Sequence, residues 1–153
     1  MKNIYLTIQS NTRGAIPVRA TLRRWIHAAF DSKITHKKFF EADITVRFVN
    51  GKEGRALNGT YRKKDYATNV LTFVYEQDWR CVGDIVLCMP VLRQEAREQH
   101  KTWRAHCAHL LIHGVLHLQG FDHDNDADAR QMEHTEIAVL GVLGYPNPYQ
   151  DRD

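Results

Sequence analysis

The sequence predicts an α+β fold, on three observations. Four short segments carry the alternation or β-branched runs of strands. Longer segments place apolar residues three and four apart, the spacing of helices. One of these, residues 103–118, is apolar around nearly its whole circumference, which marks a helix buried inside the protein.

Taken in order, Ile4, Leu6 and Ile8 alternate with Tyr5 and Thr7 in a first strand over residues 4–8. From Pro17 onward Val18, Leu22, Trp25, Ile26 and Ala29 share one helical face, and Arg19, Arg23 and Arg24 lie off it as a solvated face, with RNA contact as the alternative reading. Residues 44–49 make a second strand, which Asn50-Gly51 interrupts before a short helix through residues 53–57. A polar loop over residues 58–68 holds Tyr61, Arg62, Lys63, Lys64 and Tyr66. Residues 69–74 and 83–89 are the third and fourth strands, and Pro90 opens a charged helical stretch over 91–99. Thr102 caps the apolar helix, Gly120 ends it, and a last helix over 126–143 stops at Gly144 with Pro146 beyond.

A chain of 153 residues can bury a sizeable core, and with no repeat, linker or low-complexity stretch residues 1–153 read as one domain. No run of about 18 apolar residues is present, so no membrane helix is expected. Residues 1–9 alternate polar and apolar and lack the apolar core of a signal peptide. Cys81, Cys88 and Cys107, an odd number without Cys-x-x-Cys spacing, argue against a disulfide framework, and a reducing cytoplasm is the expected compartment. The net charge of +3 is unevenly spread: residues 1–104 hold 19 Lys and Arg against 10 Asp and Glu, residues 105–153 hold 2 against 8. A basic body suits a polyanion such as RNA, with an unevenly charged solvated surface as the plain alternative.

Chemistry concentrates at residues 113–123. His113 and His117 are four apart on the buried helix, hence one turn apart on one face, and Gly120 lets the chain turn back so that His123 approaches them. Unpartnered imidazoles in an apolar helix are unfavourable, and a shared ligand explains both their number and their place. The His-x-x-x-His-x-x-Gly-x-x-His form predicts a metal held by His113, His117 and His123, one ion per chain. Zinc suits three neutral imidazoles and an open fourth position, and nickel and copper also take nitrogen ligands. Such an ion brings the pKa of a bound water near neutrality. His106 and His109 read as packed or solvated, since His106 lies about 10 Å before His113 along the axis. Carboxylates that orient the ligands are sought at Asp122, Asp124, Glu133 and Glu136, each of which also reads plainly as solvated surface.

One departure redirects the reaction. The peptidase motif needs a glutamate after the first histidine as general base, and here Gly114 stands there. Phosphodiester cleavage asks instead for a cationic clamp on phosphate, which Arg62, Lys63 and Lys64 can supply, with Tyr61 and Tyr66 to stack on bases.

Three blocks together, Leu57-Asn58-Gly59-Thr60-Tyr61-Arg62-Lys63-Lys64-Asp65-Tyr66-Ala67-Thr68-Asn69 running on to Phe73, Gly83-Asp84-Ile85, and His113 to His123, resemble the YbeY family of bacterial rRNA maturation factors in order and spacing over residues 57–143. The resemblance implies an α+β fold with a small mixed four-stranded sheet, a central histidine-bearing helix and a zincin-like metal site. It implies a zinc-dependent, single-strand-specific endoribonuclease acting in 16S rRNA 3′-end maturation, ribosome assembly and ribosome quality control. Its partners would be single-stranded RNA, the 16S rRNA precursor and the small ribosomal subunit, a small-subunit ribosomal protein and an assembly GTPase, with no membrane. By position His113, His117 and His123 correspond to the metal ligands, and Arg62 to the basic residue facing the metal, so Arg62 and His113 are the expected catalytic residues. Ala67 stands where the family has proline and Thr72 where it has serine, which touches the loop and none of the ligands. A ribosome-assembly factor with a structural zinc, or a zinc hydrolase of another substrate class, are the alternative functions.

Histidine ligands must be deprotonated to bind, so metal affinity is expected to fall on acidification. Metal content measured after dialysis across the histidine titration range tests this. A content indifferent to pH would contradict histidine ligation.

Overall fold

The computed structural model describes residues 3–62 and 68–150, with Tyr61 and Arg62 described in backbone alone. Alternating side chains build the expected strands, β1 (Asn3–Ser10), β2 (Glu41–Val49), β3 (Val70–Gln77) and β4 (Arg80–Cys88), in one sheet of order β1-β2-β4-β3. β1 and β4 both run parallel to β2, and β3 returns antiparallel along β4, so the sheet is mixed and β3 is an edge. Ala42, Ile44, Val46 and Phe48 on β2, with Cys81, Ile85 and Leu87 on β4, turn one face into the main core. Leu71, Val86 and Cys88 turn the other way and make a second, smaller cluster.

The helices are α1 (Arg19–Ala29), α2 (Ser32–Thr35), α3 (Gly51–Arg62), α4 (Met89–Glu98), α5 (Trp103–Leu118) and α6 (Asp126–Val142). α5 packs against β3, β4, α1, α4 and α6, which is why its sequence is apolar all round. Leu111, Ile112, Val115, Leu116 and Leu118 on it are wholly buried, each such side chain contributing about 1.5–3 kcal/mol relative to exposure. Its start is capped by the Thr102 hydroxyl, which accepts from the Ala105 N–H at 3.1 Å.

Two glycines let α5 approach the sheet closely. A Cβ on Gly83 would lie 2.5 Å from Leu118 Cδ2 and 2.6 Å from the Phe73 carbonyl oxygen, and one on Gly114 3.0 Å from Ile85 Cγ2.

The sequence reading and the structure differ in several places. α3 is not a short helix ending near residue 57 but continues to Arg62, taking in the first part of the expected loop. Asn58 is 1% exposed and Leu57 packs against the second cluster, so tertiary packing carries the helix past its weak formers. Lys63, Lys64, Tyr66 and Ala67 lie outside the described residues. α2 is too short for a periodic signal and rests on Asp31, whose carboxylate accepts from the Lys33 N–H at 3.0 Å. β2 and β4 begin earlier than apolar alternation suggests, because Glu41 and Arg80 sit opposite each other and form an ion pair at 3.1 Å. The arginine face of α1 stays solvated, with Arg19 and Arg24 exposed and Arg23 half-buried, but two of its members also reach β1: Arg19 donates to the Leu6 carbonyl at 2.8 Å and Arg23 to that of Ile4 at 3.3 Å.

A Gly83→Ala substitution is expected to lower stability by about 1–3 kcal/mol, because the backbone oxygen it meets cannot move aside. Gly51→Ala, where nothing lies within 4 Å, is the control and should leave the urea midpoint almost unchanged.

Candidate metal centre

α5 ends in a turn that fixes where its last residues point. The Phe121 N–H bonds back to the Leu116 carbonyl and the Gly120 N–H to that of His117, both at 3.0 Å, with Gly120 at φ +102°. These two bonds and the left-handed glycine are a Schellman stop. Gln77 on β3 adds to it, donating to the His117 and Leu118 carbonyls at 3.3 and 3.2 Å. The chain then doubles back, and the Asp122 carboxylate accepts from the His123 N–H at 2.7 Å.

This turn brings His113, His117 and His123 together, with one nitrogen from each lying within 4.8 Å of the others. The His113 and His117 rings are 4.6 Å apart, His117 and His123 5.0 Å, and His113 and His123 5.9 Å.

Hydrogen bonding decides which nitrogen is free on two of them. The His117 Nδ1 lies 3.0 Å from the Phe121 carbonyl oxygen, which can only accept, so Nδ1 carries the proton. The His113 Nδ1 lies 2.5 Å from Glu136 Oε1. Glu136 on α6 is wholly buried, and burial alone would raise its pKa, but hydrogen bonds from His109 and His113 outweigh it and hold the group at about 2. An ionised carboxylate has no proton to give, so His113 donates through Nδ1. Both rings therefore keep Nε2 as a lone pair, and the donor set fits a metal that takes neutral imidazoles.

Burial, then the neighbouring His113 and His123, push the pKa of His117 down to about 4. The ring is neutral well below the ordinary histidine range. In the metal-free chain the sign follows from the unfolded state. That state takes up a proton near the ordinary 6.5, whereas the folded ring resists it, so His117 costs stability as pH falls toward about 4.

The reading of Glu136 as solvated surface is corrected: it occupies the buried stripe of α6 with Met132, Thr135, Val139 and Leu140. Its place at helical spacing within that apolar stripe was the available signal. His109, also read as unremarkable, reaches the second oxygen of Glu136 at 3.1 Å, and Tyr149 donates to that oxygen at 2.5 Å. His106 is packed, 3.0 Å from Glu95 Oε1. His106, His109, Glu95 and Tyr149 line a cavity of about 630 Å³ beside the triad. Asp122 and Asp124 are exposed; the His123 N–H, then a hydrogen bond shared with Asp124, lower the pKa of Asp122, and the same shared bond raises that of Asp124. Arg62 closes α3, and its side chain lies outside the described residues.

Gly114 also explains the missing general base. Its position faces Ile85 and Thr72 on the sheet, so a glutamate here would be driven into the core.

The family model described as endoribonuclease YbeY matches residues 7–144. The chain belongs to the YbeY family. The endoribonuclease YbeY of Aromatoleum aromaticum is 51% identical over 148 residues, spanning 94% of this chain and 91% of that relative. The endoribonuclease YbeY of Paraburkholderia phymatum is 52% identical over 134 residues, spanning 86% and 82%. The fold is similar to a solution structure from Thermotoga maritima, at 26% identity and a TM-score of 0.59, covering 97% of both chains. The resemblance of the histidine block to the YbeY family thus extends to almost the whole chain.

Removing the Glu136 carboxylate leaves two imidazoles without their acceptor. Glu136→Ala is expected to weaken metal binding about 10- to 100-fold, read by competition with a chromophoric chelator. Unchanged affinity would mean that the carboxylate does not orient His113.

Proposed function

We propose that this YbeY-family chain is a zinc-dependent endoribonuclease acting as one domain on single-stranded RNA. The observation that carries the reading is the histidine triad whose members His113 and His117 have their Nδ1 protons committed elsewhere, in a chain whose relatives are named endoribonucleases. His113, His117 and His123 hold the ion, and when bound it supplies Lewis acidity and activation of water near neutral pH. Glu136 keeps His113 in the ligating tautomer, and His109 and Tyr149 hold Glu136 ionised in turn. Arg62 offsets the charge that develops on the phosphate during cleavage. The substrate is the 16S rRNA precursor near its 3′ end, met on the small ribosomal subunit in the cytoplasm during assembly and quality control, with a small-subunit ribosomal protein and an assembly GTPase as partners. No described helix is long and apolar enough to cross a membrane.

The test is cleavage of single-stranded rRNA by rigorously RNase-free protein. His113→Ala and Arg62→Ala are each expected to lower the rate by about 100-fold or more. Undiminished cutting by both variants would sink the reading. Loss of folding on chelation, with Arg62→Ala leaving cellular rRNA processing intact, would favour a structural metal in an assembly factor.

A further inference from the structure

An exposed pair of aromatic rings follows closely in the chain on residues that contact the end of α5. Phe40 precedes β2 and Trp79 forms the turn between β3 and β4, and the Phe40 N–H donates to the Trp79 carbonyl at 2.8 Å. Their rings stack at 4.5 Å with planes 12° apart, yet they remain 52% and 62% exposed. Core packing does not account for two large rings left in water.

The pair is joined to the metal helix through short links. Gln77, two residues before Trp79, donates to the His117 and Leu118 carbonyls. Lys37, three residues before Phe40, holds its ammonium 5.0 Å from the centre of the Phe121 ring, two residues from His123. Lys33 and Lys38 are exposed on the same segment. Of the nearby carboxylates, Glu41 and Glu76 are both paired with Arg80, and Asp78 stands exposed on the turn.

We propose that Trp79, backed by Phe40, is a stacking platform for a base of the single-stranded RNA, with Lys33, Lys37 and Lys38 following its phosphates. An exposed indole face accepts any base, and lysines beside it meet the backbone, which is how single strands are held without sequence preference. The inference rests on the endoribonuclease reading and adds to it a second point of contact, away from the metal. A strand fixed both at the triad and at Trp79 would have to be unpaired between them, which gives the preference for single strands a physical cause.

The experiment uses full-length metal-loaded protein and a short unstructured RNA, with binding followed by tryptophan fluorescence in stopped flow before turnover. Trp25 is wholly buried, and the Trp79→Phe variant isolates the Trp79 signal from the rest. Quenching of Trp79, an affinity about tenfold weaker in Trp79→Ala, near-normal affinity in Trp79→Phe, and an unchanged single-turnover rate at saturating RNA are expected. An affinity equal to wild type in Trp79→Ala, with cleavage intact, overturns the platform and leaves the nuclease reading standing. Tight RNA binding through Trp79 without any cleavage supports the platform and sinks the nuclease reading. A wild-type dimer that Trp79→Ala dissociates, with RNA affinity unmoved, assigns the patch to a second copy and overturns the proposal.

Discussion

Glu136 ties the candidate centre to the fold. A wholly buried carboxylate is costly unless every charge-bearing oxygen is met, and here His113 meets one oxygen while His109 and Tyr149 meet the other. The carboxylate sits on α6 and both histidines on α5, so the same bonds that settle its charge join the two helices across the core. Tyr149, beyond the end of α6, is drawn in by the same group. Ionisation, helix packing and imidazole orientation are therefore one condition. A neutral Glu136 would free a proton where His113 needs an acceptor, and the tautomer of that ring would no longer be fixed.

Much of this was legible in the chain before folding. Thr102 and Gly120 bracketed α5 closely, because a hydroxyl cap and a left-handed glycine act locally. The spacing of His113, His117 and His123 likewise needs only helix pitch and one turn. Glu136 was harder, since a glutamate on an amphipathic helix is ordinarily solvated and only the neighbouring α5 gives it partners. His109 was missed for the same reason, as it meets the site through Glu136 and not as one of the three clustered histidines. The extent of α3 was hidden by Asn58 and Gly59, residues that signal loops until packing overrides them. The Phe40–Trp79 stack joins residues far apart in sequence, and no periodicity within either segment announces it.

Gly114 has two consequences that the sequence presented as one. Its absence of side chain takes away the base a peptidase would use, and it also admits the sheet to within contact of the helix. The second follows from packing alone and would hold whatever the enzyme did. With Gly83 below it, Gly114 sets the height of α5 over β3 and β4, and thereby the height of His113 and His117 above the edge strand.

The turn after α5 bears on what a metal bound at the triad would have to order. Closing a flexible loop to gather a third ligand ordinarily charges its entropy to the binding step. Here the return of residues 118–123 is already closed by the backbone bonds of Phe121 and Gly120 and by the Asp122 contact to His123. Little ordering would be left for an ion held by His113, His117 and His123 to induce, so the binding step would carry little of that entropy. An ion bound there would then come and go on a folded chain, without melting the end of the helix.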